Sequence, residues 1–367
     1  MNKKITRREF LRWFALTTTA FLAACQNRFN PTPTASPTVQ PTQTSTNIPE
    51  STATQKPPNT PESTATTQPE IQPTTNTPEA KNLATVYMTT AISADGLLKM
   101  YQTLGRTAQG KVAVKISSGE PGGHYFLSPD LIAPLVQEVN GTIVECNTAY
   151  GGGRANTASH QRVMEEHGFT GIAPVDIMDA EGTLNIPIVG GKHLKEDVVG
   201  SHFANYEFMV NLAHFKGHAM GGFGGVIKNM SIGIASTQGK CLIHTAGASS
   251  TSPWGGDQDS FLESMAEAAK GVADYLGENI LYINVMSNLS VDCDCDNSPA
   301  APTMKDIGIL ASLDPVALDQ ACVDLVYAAP DGKDLVERME SRHGIHTLEH
   351  AEAIGFGNRK YELVSVD

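Results

Sequence analysis

The sequence predicts an α/β fold over residues 83–367, a largely parallel sheet with helices on both faces. Three observations predict it. Short apolar runs alternate with longer amphipathic stretches. The run at residues 208–212 reads as a strand buried on both faces. Several polar, glycine-rich clusters follow predicted strands, and folds of this kind bind ligands beyond the carboxyl ends of strands.

Residues 1–25 are expected to be an address rather than part of the fold. Lys3 and Lys4 open a basic region, and Arg7 and Arg8 are the twin arginines of a Tat signal. The apolar run at residues 13–24 is short and threonine-rich for a membrane span. Leu22, Ala23, Ala24 and Cys25 form a bacterial lipobox, with Cys25 as the acylated residue. The expectation is export by the Tat pathway and lipid anchoring at the membrane, on the outer face of the cytoplasmic membrane or in the periplasm. Residues 26–82 are rich in proline and threonine, and the hexapeptide at residues 49–54 recurs at 61–66. Such a segment cannot bury enough apolar surface to offset its ordering entropy, so a disordered, partly polyproline-like linker is expected. The net charge of −13 argues against nucleic acid as a partner.

Within the domain, strands are predicted at residues 85–89, 111–116, 142–146, 186–189, 207–212, 280–285 and 307–311. Helices are predicted at residues 93–104, 128–139, 156–166, 259–275, 315–327, 332–341 and 347–354. Two of these starts have clear punctuation. Ser128 with Pro129 and Asp314 with Pro315 each place a capping side chain before a proline at the first helical position.

The densest cluster runs over residues 211–233, where His214, Lys216, His218, Lys228 and Asn229 lie among many glycines. Gly224 and Gly225 would let backbone approach a ligand, with Lys228 and Asn229 at the start of a helical run adding a charge and a donor. After the strand at 142–146, Tyr150, three glycines and Arg154 offer a second grip on a carboxylate or phosphate. Asp176, Asp179 and Glu181 are expected to cap turns in water. Asp314, at a predicted strand end, is either the cap of its helix or a ligand contact.

Metal ligands are available from His214, His218, Cys241, His244, Cys293 and Cys295, a set suited to zinc, iron or nickel. Cys293 and Cys295 are one residue apart, too close for an easy mutual disulfide, so metal ligation or pairing with Cys241 is expected instead. Cys146 and Cys322 lie in apolar runs and read as core.

The order of these motifs resembles the domain-of-unknown-function 362 family. Asn147, Thr148, Tyr150 and Arg154 carry the resemblance, followed by His160, the His214-to-His218 run and the Gly222-to-Asn229 run. Gly239-Lys240, Cys293 with Cys295, the residues from Asp306 to Asp319, and His350 with Gly355 complete it. The resemblance implies an iron–sulfur setting, since many members carry a ferredoxin-like insert after the stretch matching His244. Here residues 245–259 contain no cysteine, which argues against a four-iron cluster and leaves the metal candidates above. Two functions are then expected to compete: an enzyme using a metal or redox chemistry on a small anionic ligand, and a tethered binding protein without turnover.

Overall fold

The computed structural model describes residues 83–367. The expected signal, Cys25 and the linker lie outside the described residues. In chain order the elements begin with β1 (Ala84–Thr89), α1 (Ala94–Thr103), β2 (Val112–Lys115), α2 (Pro129–Glu138), β3 (Thr142–Glu145), α3 (Thr157–Glu166) and β4 (Val175–Ile177). A hairpin of β5 (Thr183–Pro187) and β6 (Glu196–Gly200) follows, then β7 (Phe208–His214) and a second hairpin, β8 (Lys216–His218) with β9 (Gly222–Gly224). The chain continues through α4 (Val226–Met230), α5 (Thr237–His244), α6 (Gln258–Leu276), β10 (Ile280–Met286) and β11 (Gly308–Ser312). It ends with α7 (Pro315–Ala328), α8 (Lys333–Ser341), α9 (His346–Ala353) and β12 (Tyr361–Ser365).

Eight strands form one sheet in the order β12-β1-β11-β10-β7-β2-β3-β4. β11 is antiparallel to both its neighbours, and every other pairing is parallel. The chain builds β2, β3 and β4 outward to one edge, then returns to place β7 on the free side of β2 and β10 beyond it. The direction of winding therefore reverses between β2 and β7, which opens a crevice at their carboxyl ends.

Alternation along the strands divides the core in two. Val112, Val114, Val210, Leu212, Leu281 and Ile283 pack with Leu97 and Met100 of α1 and Ile132 and Leu135 of α2. Ala113, Met209, Ala213, Tyr282 and Leu310 pack toward α4, α6 and α7. Helices thus cover both faces, as the apolar runs predict. Their starts are fixed locally: Ser93, Ser128, Asn156, Asp257 and Asp314 each accept a bond from a first-turn N–H. A cap of this kind contributes about 1 kcal/mol.

Several elements depart from the expectation, the strands β6, β8 and β9 among them. The acidic stretch read as a solvated turn contains β4, with Asp176 bonded to His202 and Tyr206 at 2.8 and 2.7 Å. The strand expected at 186–189 is instead β5, which pairs antiparallel with β6 outside the main sheet. α5 forms where only a thiol–imidazole motif was apparent, capped by Ser236. β12 closes the far edge beside β1. No helix among the described residues is long and apolar enough to cross a membrane.

Candidate functional site

The crevice is built from charged residues that end apolar strands. Lys115 closes β2 and Glu145 closes β3, and the parallel pairing, with Lys115 beside Val144, brings the two strand ends together. Lys115 Nζ donates to Glu145 Oε2 at 2.8 Å and to Asn229 Oδ1 at 3.1 Å. The other Glu145 oxygen accepts from Ser118 N, Ser118 Oγ and Arg154 at 2.8, 3.0 and 3.3 Å. Burial by itself would raise the Glu145 pKa, but Lys115 and Arg154 hold it down to about 2. Arg154 Nε also donates to Glu120 Oε1 at 2.8 Å, and Tyr150 donates to the same oxygen at 3.0 Å. Both cations are therefore matched by carboxylates.

Above this floor lies a cavity of about 290 Å³, lined by Lys115, Tyr150, Arg154, His218, Lys228, Asn229, Lys240, His244, Trp254, Cys293 and Cys295, among others. Lys228 stands apart from the other cations. Its Nζ lies 4.0 and 3.9 Å from the sulfurs of Cys293 and Cys295, and among the described residues no carboxylate pairs with it. Burial, with the charges of Arg154 and Lys115, lowers its pKa to about 8. Lys240 is buried and reaches only the carbonyl of Ala235.

The two histidines on the wall have opposite polarity. His218 Nδ1 accepts from the N–H groups of Met220 and Gly221 at 3.2 and 2.8 Å, so its neutral ring carries hydrogen on Nε2. His244 Nδ1 donates to the carbonyl of Lys240 at 2.7 Å, which leaves Nε2 as a lone pair. Burial lowers both pKa values, that of His244 to about 4 and that of His218 well below the ordinary range. Both rings are neutral near pH 7.

The Cys293–Cys295 loop is held from beneath. Asp294 is buried between them, with Oδ2 2.9 Å from His214 Nδ1 and Oδ1 2.7 Å from Lys216 Nζ. Burial would raise its pKa, yet His214 and Lys216 bring it to about 2. Pulling Asp294 inward turns the flanking side chains toward each other. Cys293 and Cys295 form a disulfide across a Cα–Cα separation of 5.3 Å. The expectation that their spacing hinders mutual pairing fails for this reason: the bend brings them within the range a disulfide needs. Cys241 is a free, buried thiol rather than their partner, and Cys146 and Cys322 are also free and buried.

Among the described residues, one group has the chemistry and spacing to hold a metal ion: His218, Cys293 and Cys295, with donor atoms within 4.8 Å of one another. The other expected ligands stand elsewhere. Both ring nitrogens of His214 are engaged, with Asp294 and with the Ser287 carbonyl at 2.7 Å. His244 lines the cavity without joining this group.

The sequence profile of a domain of unknown function, DUF362, matches residues 112–324. The chain belongs to that family. The match spans β2 to α7 and so contains every wall of the DUF362 cavity. No curated protein matches the chain. Among solved structures, the lactate racemase apoprotein from Thermoanaerobacterium thermosaccharolyticum is similar at 14% identity and a TM-score of 0.37, over 55% of this chain and 50% of that one. A Thermotoga maritima protein is similar at 10% identity and a TM-score of 0.38, over 71% of this chain and 58% of that one. The DUF362 chain thus spans about half the length of either.

Of the anion-binding candidates, Tyr150, Arg154, Lys228 and Asn229 meet at the cavity. Gly224 and Gly225 do not line it. Gly224 pairs with Lys216 in the β8–β9 hairpin. Gly225 lies against Asp319, which takes the N–H groups of Val226 and Ile227 at 3.0 and 3.1 Å. The start of α4 is therefore occupied by the protein's own carboxylate and offers no cradle for an anion. Asp314 lies away from the cavity, accepting from Val316, Ala317 and Asn358 N–H groups as a helix cap. Lys115, Glu145 and Trp254 were not singled out by the sequence, and Lys240 stood only within the Gly239-Lys240 motif. The available signal was a charged residue ending each of two apolar strands.

Proposed function

We propose that the cavity takes a small anionic ligand onto Lys228, within reach of the Cys293–Cys295 pair, and that this is where the protein works. The supporting observation is that Lys115 and Arg154 have carboxylate partners while Lys228 has none. An ammonium group enclosed in this way gains from a negative ligand. The pair beside it suits redox chemistry: two electrons and two protons convert the disulfide to two thiols. This supports an enzyme reading over that of a tethered binding protein. Export by the Tat pathway, acylation of Cys25 and a spacer over residues 26–82 belong to the same proposal, as does the lack of a ferredoxin-like insert after His244. Isothermal titration of the purified chain with acetate and inorganic phosphate tests the ligand site. Lys228→Met should unfold normally by circular dichroism yet bind neither anion; ordinary binding by that variant counts against the proposal.

A second reading rests on the His218, Cys293 and Cys295 group. Two thiolates and an imidazole suit zinc or another borderline metal and leave one position open. Reduction must come first, because the sulfurs are bonded to each other. His218 would also have to exchange its ring proton for the metal or give up its two backbone bonds. On this chemistry the oxidised and the metal-bound protein exclude one another.

A further inference from the structure

We infer that the ligand of this cavity is an organic monocarboxylate with an apolar alkyl or aryl body, and that Trp254 covers that body at the mouth. The inference rests on the anion reading above and narrows it to a chemical class. Charge supplies the first argument. A phosphate dianion is ordinarily gripped by several backbone N–H groups or by more than one free cation. Here the N–H groups of Val226 and Ile227 are spent on Asp319. Lys115 and Arg154 are spent on Glu145 and Glu120. Among the described residues, Lys228 remains as the one cation on the wall with neither a carboxylate nor a carbonyl partner, enough for one negative charge. The Nε2–H of His218 supplies a neutral donor beside it.

The second argument is the rest of the wall. Beyond the polar floor, the cavity is bounded by Cys146, Ala149, Met220, Ile232 and Pro253. Trp254 lines the same cavity while 61% exposed. Tyr150, 42% exposed, stands at the cavity too, its hydroxyl fixed by Glu120 and Arg154. Large aromatic surface left in water beside an apolar cavity gains by covering an apolar ligand. Inorganic anions would leave that surface wet.

The test is a ligand series on the full-length chain in detergent, by isothermal titration: acetate, butyrate, hexanoate, benzoate, phenyl phosphate and inorganic phosphate. Tryptophan emission provides a second readout, since the chain has two tryptophans, Trp13 and Trp254, and Trp254→Phe identifies which one responds. Affinity should rise by about fourfold for each added methylene that enters the cavity. Benzoate should bind more tightly than phenyl phosphate and should shift the Trp254 emission. Trp254→Ser should flatten the series, with hexanoate and benzoate losing more affinity than acetate. A flat series in the wild type, or inorganic phosphate binding as tightly as benzoate, overturns the monocarboxylate assignment while leaving an anion site intact. Silence from every anion, phosphate included, overturns the anion site and this inference together.

Discussion

Asp294→Asn is the sharpest probe of how the cavity wall is held. The carboxylate is 4% exposed and pairs with His214 and Lys216, whose side chains are 0% and 1% exposed. An asparagine of the same shape keeps one acceptor but turns an NH₂ group toward one of these donors. The Asp294 pKa falls from 3.8 to about 2 on folding, the charges of His214 and Lys216 outweighing burial. At about 1.4 kcal/mol per unit, the charged form is favoured by a few kcal/mol. Removing one partner of a buried ionic group costs on the order of 3–5 kcal/mol. A loss of about 3 kcal/mol at pH 7 is therefore expected. The sign follows from the depressed pKa: the contribution is complete above pH 3.8 and disappears as pH falls through about 2. Urea unfolding of wild type and Asp294→Asn at pH 7 and near pH 2.5 measures both quantities. The gap should narrow in acid. A second readout is the alkylation rate of Cys293 and Cys295 after reduction, which should rise once the loop is unpinned. A variant within about 0.5 kcal/mol of wild type at pH 7, or a gap unchanged in acid, refutes the reasoning.

Glu145→Gln leaves Lys115 and Arg154 without their shared carboxylate and should cost about 3 kcal/mol or more at pH 7; chemical denaturation should show the wild-type advantage fading between pH 4.5 and about 2. Asp197 is buried with neither carboxylate oxygen well hydrogen-bonded, and burial raises its pKa to about 7. A raised acid pKa means stability falls as pH climbs from 3.8 to 7, so Asp197→Asn should gain about 2 kcal/mol at pH 8 and little at pH 4 in the same assay. Gly225→Ala places a Cβ 2.3 Å from Asp319 Oδ1. It should lower the thermal midpoint by several degrees, for a loss of about 1–3 kcal/mol. On the metal reading, reduced protein desalted from zinc should retain one equivalent by mass spectrometry, while the oxidised protein and Cys293→Ser retain none.

Much of the fold was legible because burial and punctuation agreed. The runs that became β3, β7 and β10 are apolar because helices cover them on both sides, and Ser128 and Asp314 mark helix starts by chemistry that does not depend on tertiary contacts. Where tertiary contacts decide, the reading failed. β8 is Lys216-Gly217-His218, with no strand propensity, and exists because it pairs with β9 and places Gly217 against Val291. β12 is half polar, as an edge strand can be, and nothing local distinguishes it from a tail. The site shows the same division. Lys228, Tyr150 and Arg154 stood out as polar residues in glycine-rich company. Glu145 did not, since its role appears only when β2 and β3 lie side by side. His214 and His218 looked equivalent by spacing, yet one binds Asp294 and the other faces the cavity.

The position of β1 bears on how the chain can fold as it is made. β1 leaves the ribosome before any other strand of the sheet, but its neighbours are β11 and β12, with Val86 beside Ser312 on one side and Leu363 on the other. Asp367 accepts from Thr89 and Thr90. The first strand must therefore wait until residues 308–365 have been made before it has partners. Strands β2, β3, β7 and β10 can assemble earlier, in a growing parallel sheet. Until β11 and β12 arrive, β1 is an unpaired apolar segment open to chaperones or to a neighbouring nascent chain. Loss of residues 361–367 would harm the beginning of the domain as much as the segment removed.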